Sequence, residues 1–134
     1  PAFALFRLFG RPRLRPFNLT LSFSFRCNSR CQTCHIHRKT TPELGLDEWR
    51  RVFAHYGRNI FWATISGGEP FLRKDLAALV CSLYDFCRPS IITIPTNGFM
   101  TETIAGAVSE IVGHCRRSQI IINVSLDAVG ERHD

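Results

Sequence analysis

From Asn18 to Phe25 the chain reads "NLTLSFSF", with Leu19, Leu21, Phe23 and Phe25 separated by small polar residues. That period of two predicts a strand with one face against a core. Beyond residue 44 the period lengthens: "GLDEWRRVFAHYG" sets Leu46, Trp49, Val52 and Phe53 on one helical face, with Gly45 a candidate N-cap three residues before Glu48. Residues 59–66, "NIFWATIS", are mostly apolar and stop at Gly67 and Gly68, which predicts a strand buried on both faces. A second helix follows in "RKDLAALVCSLYDFC", with Leu76, Leu79, Val80 and Leu83 at helical spacing and Pro89 just beyond. "SIITIPT", 90–96, is a third strand closed by Asn97 and Gly98; residues 101–115 form a third helix facing inward through Ile104, Val108, Ile111 and Val112; "QIIINVSL", 119–126, is a fourth strand.

Strand and helix thus alternate, with no repeated motif or low-complexity linker. Buried parallel strands joined by right-handed helical crossovers are the natural packing of that order, an α/β fold. Functional residues of such folds gather at the carboxyl edge of the sheet. The unusual residues of this chain all fall there: three cysteines after strand one, "GGEP" after strand two, "TNG" after strand three and "SLD" at the end of strand four.

Composition adds bounds. The 134 residues are 45% hydrophobic and 21% charged, the profile of one globular domain. The net charge is +6, with a basic run at Arg7, Arg11, Arg13 and Arg15. No nucleic-acid motif accompanies the charge, so no nucleic-acid partner is expected. The opening "PAFALFRLFG" is too short for a membrane span and lacks a small-residue cleavage site; a short helix packed on the domain is expected. The chain starts on proline and stops after "SLDAVGERHD" without a closing element, so it is expected to be a piece of a longer protein.

Six cysteines with long apolar periodic segments suit a reducing cytoplasm better than a disulfide-stapled secreted domain. Cys81, Cys87 and Cys115 are scattered and read as small buried hydrophobes. Cys27, Cys31 and Cys34, in "FRCNSRCQTCHIH", are spaced C-x3-C-x2-C. Clustered thiolates select zinc or iron–sulfur chemistry over hard cations. A structural zinc site wants four closed ligands, and His35 or His37 would have to fold back onto the triplet to complete a Cys3His set. Three cysteines that hold three irons of a cubane leave a fourth iron open to bind a small molecule.

The triplet directly after a first strand resembles the signature of the radical S-adenosylmethionine (radical SAM) enzymes. "SGGEP", Ser66 to Pro70, resembles that superfamily's glycine-rich motif, and "PTNG" and "VSLD" resemble its third and fourth strand ends. The terminal "HD" resembles the branch containing molybdenum-cofactor and peptide-modifying members. The resemblance covers residues 18–134 in family order.

It implies an incomplete parallel (βα) barrel, of which about four βα units are present, with residues 1–16 as an extension and 17–134 as the amino-terminal half of the core domain. It implies a 4Fe–4S cluster on Cys27, Cys31 and Cys34, with S-adenosylmethionine on the open iron. Reductive cleavage would yield a 5′-deoxyadenosyl radical that takes hydrogen from a small-molecule or peptide substrate, the electron coming from a donor such as flavodoxin or ferredoxin. Gly67 and Gly68 would let the backbone approach the methionyl group, Glu69 would add negative charge there, and Pro70 would start the next turn. Thr96, Asn97 and Ser125 would hydrogen-bond the cofactor, and Asp127 would accept from a hydroxyl. Asn97-Gly98 is equally a plain turn signal, and Asp127 equally a cap. One position departs from the family pattern: Thr33 stands before the third cysteine where an aromatic residue often packs near adenine, so His35 or another loop residue would supply that contact. The rival reading is a non-catalytic Cys3His zinc module.

Overall fold

A computed structural model describes Arg7, Phe9 and residues 16–126. The expected amino-terminal helix lies, apart from those two residues, outside the described ones, as do Asp127 and the terminal "HD". Four strands, β1 (Asn18–Ser24), β2 (Trp62–Gly67), β3 (Ile91–Thr96) and β4 (Gln119–Val124), alternate with three helices, α1 (Leu46–Tyr56), α2 (Leu76–Cys87) and α3 (Thr101–His114). The strands lie in the order β1-β2-β3-β4 and every pair is parallel. This is the α/β arrangement of a partial (βα) barrel, not closed among the described residues.

One face of the sheet is dry. Leu21 and Phe23 of β1, Ala63 and Ile65 of β2, and Ile92 and Ile94 of β3 are buried under the helices with Trp49, Phe53, Leu76, Leu79, Val80, Leu83 and Ile111. Phe23 meets the Trp49 ring edge-on at 4.9 Å, and Trp49 stacks on Phe53 at 5.8 Å, so α1 is locked onto β1 through aromatic contacts. Gly45 begins α1 as expected, and its N–H donates to the Glu48 carboxylate at 2.8 Å.

Three expectations need correction. β2 starts at Trp62, not residue 59, because Gly57–Asn59 close a short 3-10 turn held by the Asn59 amide on the Tyr56 carbonyl at 2.8 Å. β2 is also buried on one face only: Ala63 and Ile65 are dry, while Trp62 is 39% exposed and donates through Nε1 to Thr93 on the open side of the sheet. On α3, Val112 is half exposed; the inward stripe is Ile104, Ala107, Val108 and Ile111, continued by Cys115, because one residue past Ile111 the helix has turned about 100° away from the core.

Candidate active site

The sheet opens toward its carboxyl edge. β3 and β4 are paired through six residues each, from Ile91 with Gln119 to Thr96 with Val124, whereas β2 and β3 are paired only from Trp62 with Ile91 to Thr64 with Thr93. Beyond Thr64 those two strands part. The cavity in the gap, about 210 Å³, is lined by Cys27, Cys31 and Cys34, by Ser66 to Glu69, by Pro95 to Asn97, and by Ser125. Four strand ends thus meet at one place, and His35, Ile36 and His37 complete the wall on the cysteine side. A larger cavity of about 690 Å³, lined by Arg58, Tyr84, Asp85, Arg88, His114, Arg116 and Arg117, holds none of the predicted site residues.

The two glycines are demanded first by the protein itself. A Cβ on Gly67, whose φ is +115°, would lie 2.0 Å from the Ser24 carbonyl oxygen, and one on Gly68 would lie 2.0 Å from that of Arg26. The end of β1 and the start of the cysteine loop run directly against the glycine backbone, with Gly68 N–H donating to Ser24 O at 2.9 Å and Glu69 N–H to Arg26 O at 2.8 Å. A β-bulge between Ser22 and Ser24 brings the chain to this contact.

Glu69 is 2% exposed, and its carboxylate is already engaged. One oxygen accepts from Phe71 N–H at 3.2 Å and the Thr96 hydroxyl at 2.9 Å; the other accepts from Asn97 N–H at 2.8 Å. The charge sits in the parting between β2 and β3 and ties their ends together, which is how a buried carboxylate stays satisfied. Thr96 is spent in the same network, accepting also from Gly98 N–H at 3.1 Å. Asn97 donates to the Asn28 side chain at 2.7 Å and accepts from Phe99 N–H at 3.1 Å, so it bolts the cysteine loop to the end of β3. The Ser125 hydroxyl, by contrast, has no protein partner among the described residues; only its N–H is used, on Thr96 O at 2.8 Å. Pro70 is buried at the first position of a 3-10 turn, Pro70–Leu72.

The cysteine loop closes around a residue that the sequence reading did not single out. Arg73 is buried, and all five of its guanidinium N–H groups face acceptors. Nε and Nη2 grip Asp75 at 2.7 and 3.1 Å; Nη1 donates to Phe23 O at 2.8 Å and faces Glu43 at 3.8 Å; Nη2 also donates to Leu44 O at 2.7 Å. Phe23 precedes the loop and Leu44 follows it, so one planar fork pins both ends. The Ser24 hydroxyl at 2.6 Å, with the Arg26 guanidinium beside it, holds the Glu43 carboxyl below its ordinary range, and Arg73 does the same for Asp75. The missed signal was an arginine three residues after "GGEP" with an acid two residues on, which reads locally as an ordinary exposed pair.

Within the loop, Ser29 is 6% exposed and lies against two sulfurs: its N–H donates to Cys27 Sγ at 3.4 Å, and its hydroxyl shares a hydrogen bond of 3.3 Å with Cys31 Sγ. A donor aimed at sulfur suits a thiolate ligand of an iron–sulfur group, so the three cysteines, which line one cavity, fit such a group in their chemistry. His35 adopts a left-handed conformation, φ 52°, and starts the 3-10 turn Ile36–Arg38. Among the described residues no set of three or more His, Cys, Asp or Glu side chains is arranged to cage a single metal ion. Cys81, Cys87 and Cys115 stand apart from the cavity; burial pushes the Cys87 thiol up to about 11 and Cys115 to about 12, so both stay protonated at neutral pH.

Similar proteins cover most of this chain. The probable GTP 3′,8-cyclase of Archaeoglobus fulgidus is 34% identical over 117 residues, and that of Methanopyrus kandleri 32% over 118. The chain is a homologue of the GTP 3′,8-cyclases. This kinship bears out the radical SAM resemblance carried by the motifs. The GTP 3′,8-cyclase of Aliarcobacter butzleri is 29% identical over 119 residues. These matches take in 84 to 86% of this chain but only 35 or 36% of each relative's length. No family model matches the chain. No described helix is long and apolar enough to cross a membrane.

Proposed function

We propose that this chain is part of a radical SAM enzyme, with residues 17–134 in its core domain. The observation that supports this best is the single cavity onto which three thiols, the "GGEP" backbone and the ends of β3 and β4 all open. Cys27, Cys31 and Cys34 would hold a 4Fe–4S cluster, and S-adenosylmethionine would sit between it and the glycine strand end. When bound, the two supply reductive cleavage of the sulfonium to methionine and a hydrogen-abstracting 5′-deoxyadenosyl radical.

The chain's own part is to bind and to orient. Backbone carbonyls beside Gly67 and Gly68 accept from the methionyl ammonium, while Glu69 keeps that backbone in place from behind and brings its negative potential near the same ammonium. The Ser125 hydroxyl, the predicted group left free, takes the cofactor's carboxylate or ribose. Asn97 and Thr96 set the rim from within the protein, and Asp127, just past Ser125, is the further hydroxyl acceptor. His35, or His37 beside it on the cavity wall, would supply the adenine contact where the loop has Thr33 in place of an aromatic residue. The relatives' names make a guanine nucleotide the first small-molecule substrate to try. An external one-electron donor is required, and the oxygen sensitivity of the cluster suits the reducing cytoplasm.

Anaerobic reconstitution of the full-length protein with iron and sulfide tests this. A brown protein with charge-transfer absorbance is expected, lost in Cys27→Ala, Cys31→Ala or Cys34→Ala and kept in Cys81→Ala. Equal bleaching by Cys81→Ala would overturn the ligand assignment, and a colourless protein that takes one zinc would favour a non-catalytic metal module.

A further inference from the structure

The larger cavity, about 690 Å³, lies at the edge of the sheet opposite the thiols. Arg58 precedes β2, Arg88 precedes β3, and Arg116 and Arg117 precede β4, so parallel topology gathers four guanidinium groups from three loops at the amino ends of neighbouring strands. All four arginines are exposed, and none forms an ion pair among the described residues. Arg116 Nε donates to Gly113 O at 3.1 Å, while the Arg58 and Arg117 guanidinium groups make no hydrogen bond among the described residues. The acid on the wall, Asp85, is already held by His114 Nε2 at 2.9 Å.

Tyr84 also lines the cavity, although it is only 5% exposed. Its hydroxyl accepts from Arg88 Nη1 at 3.1 Å and donates to no acceptor among the described residues; the Arg88 guanidinium lies 4.6 Å over its ring. Arg88 holds that place in a left-handed backbone conformation, φ 50°, at the carboxyl cap of α2, where a glycine would carry no steric cost. The wall thus presents positive charge and unspent donors, and its carboxylate is engaged.

We propose that this cavity binds a polyphosphate chain, free or carried by a nucleotide. The proposal does not rest on the iron–sulfur cluster. Guanidinium forks match pairs of phosphate oxygens, and four of them around one cavity suit an anion with several phosphates better than a single carboxylate. The Tyr84 ring is buried beneath Arg88 and meets the His114 ring edge-on at 5.8 Å, so it offers a base no free face, and the phosphates are what the site recognises. The competing explanation is that the arginines only offset the carboxyl ends of α1, α2 and α3, which fall at the same edge. Those ends carry roughly half a negative charge each, and with Asp85 they leave part of the charge of four arginines unbalanced.

Phenylglyoxal, which modifies accessible arginines, gives a local reading on the full-length protein when the modified residues are mapped by mass spectrometry. Sodium tripolyphosphate and ATP are each expected to protect Arg58 and Arg117 severalfold and to leave Arg51, exposed on α1 outside the cavity, unprotected. Adenosine should protect none of them. No protection by tripolyphosphate overturns the proposal, and so does protection by ATP alone, which would place recognition in the nucleoside. Calorimetric titration with tripolyphosphate adds the affinity: Arg58→Gln/Arg117→Gln should weaken binding roughly tenfold or more at low salt, while Arg50→Gln/Arg51→Gln, which removes the same charge elsewhere, should leave it unchanged. Equal weakening by both pairs would mean diffuse attraction to a basic protein and would overturn the proposal. A lowered Tm of Arg58→Gln/Arg117→Gln with tripolyphosphate affinity intact would overturn it too, assigning the arginines to the helix ends.

Discussion

Arg73 carries more of this site's architecture than any residue that chemistry alone would pick out. Its five N–H groups all face acceptors, and two of those are carbonyls at the two ends of the cysteine loop. Arg73→Met would strand the Phe23 and Leu44 carbonyls and free Asp75, at a cost of about 1–3 kcal/mol. Urea unfolding should register that loss, and limited proteolysis should cut faster between residues 26 and 43. Arg73→Lys should recover only part of it, because an ammonium cannot reproduce the planar fork. The same cluster sets an acid limit. The Glu43 and Asp75 carboxyls are held below their ordinary range, so their contribution is fully present above that range and is lost as pH falls through the lowered values. Proteolysis of the loop should stay slow at neutral pH and quicken only below about pH 4. A loop equally open at pH 7 and pH 3 would mean that these ion pairs do not hold it. None of this was legible locally, since Arg73 meets Phe23 across 50 positions and Leu44 across 29.

At the scale of elements, the periodicities carried most of the fold. Leu46, Trp49, Val52 and Phe53 on α1 and Leu76, Leu79, Val80 and Leu83 on α2 do face the core, because burial of one helical stripe is what that spacing encodes. The start of β2 was misplaced because Ile60 and Phe61 continue an apolar run through a turn, and hydrophobicity does not register a backbone bend. Val112 was misassigned because it is apolar beside Ile111 yet about 100° around the helix from it. The glycines of "GGEP" are the sharpest case. Their spacing pointed to a cofactor, but the nearest thing to Gly68 is the Arg26 carbonyl. Gly68→Ala should therefore push the cysteine loop outward, and reconstituted protein should show both weaker S-adenosylmethionine binding and a reduced iron and sulfide content per chain. If cofactor affinity fell while iron content held, the glycine would serve the cofactor and not the loop.

At the scale of the whole molecule, the parting of β2 from β3 makes the site. Paired along their first halves and separated beyond Thr64, they leave a gap that Glu69 bridges on one side and the cysteine loop roofs on the other. The candidate residues of the described strand ends fall together in one cavity because parallel α/β topology sends every carboxyl end to the same edge. The sequence could not say which of them are free: Glu69 and Thr96 are consumed inside the protein, and the Ser125 hydroxyl is left open. The central claim is that this gap holds a cluster whose open iron binds S-adenosylmethionine. Electron paramagnetic resonance of the reduced, reconstituted full-length protein tests it most directly. A 4Fe–4S signal whose g-values shift on addition of S-adenosylmethionine is the predicted result; a signal indifferent to S-adenosylmethionine, or no iron–sulfur signal from a protein that has instead bound zinc, would contradict it.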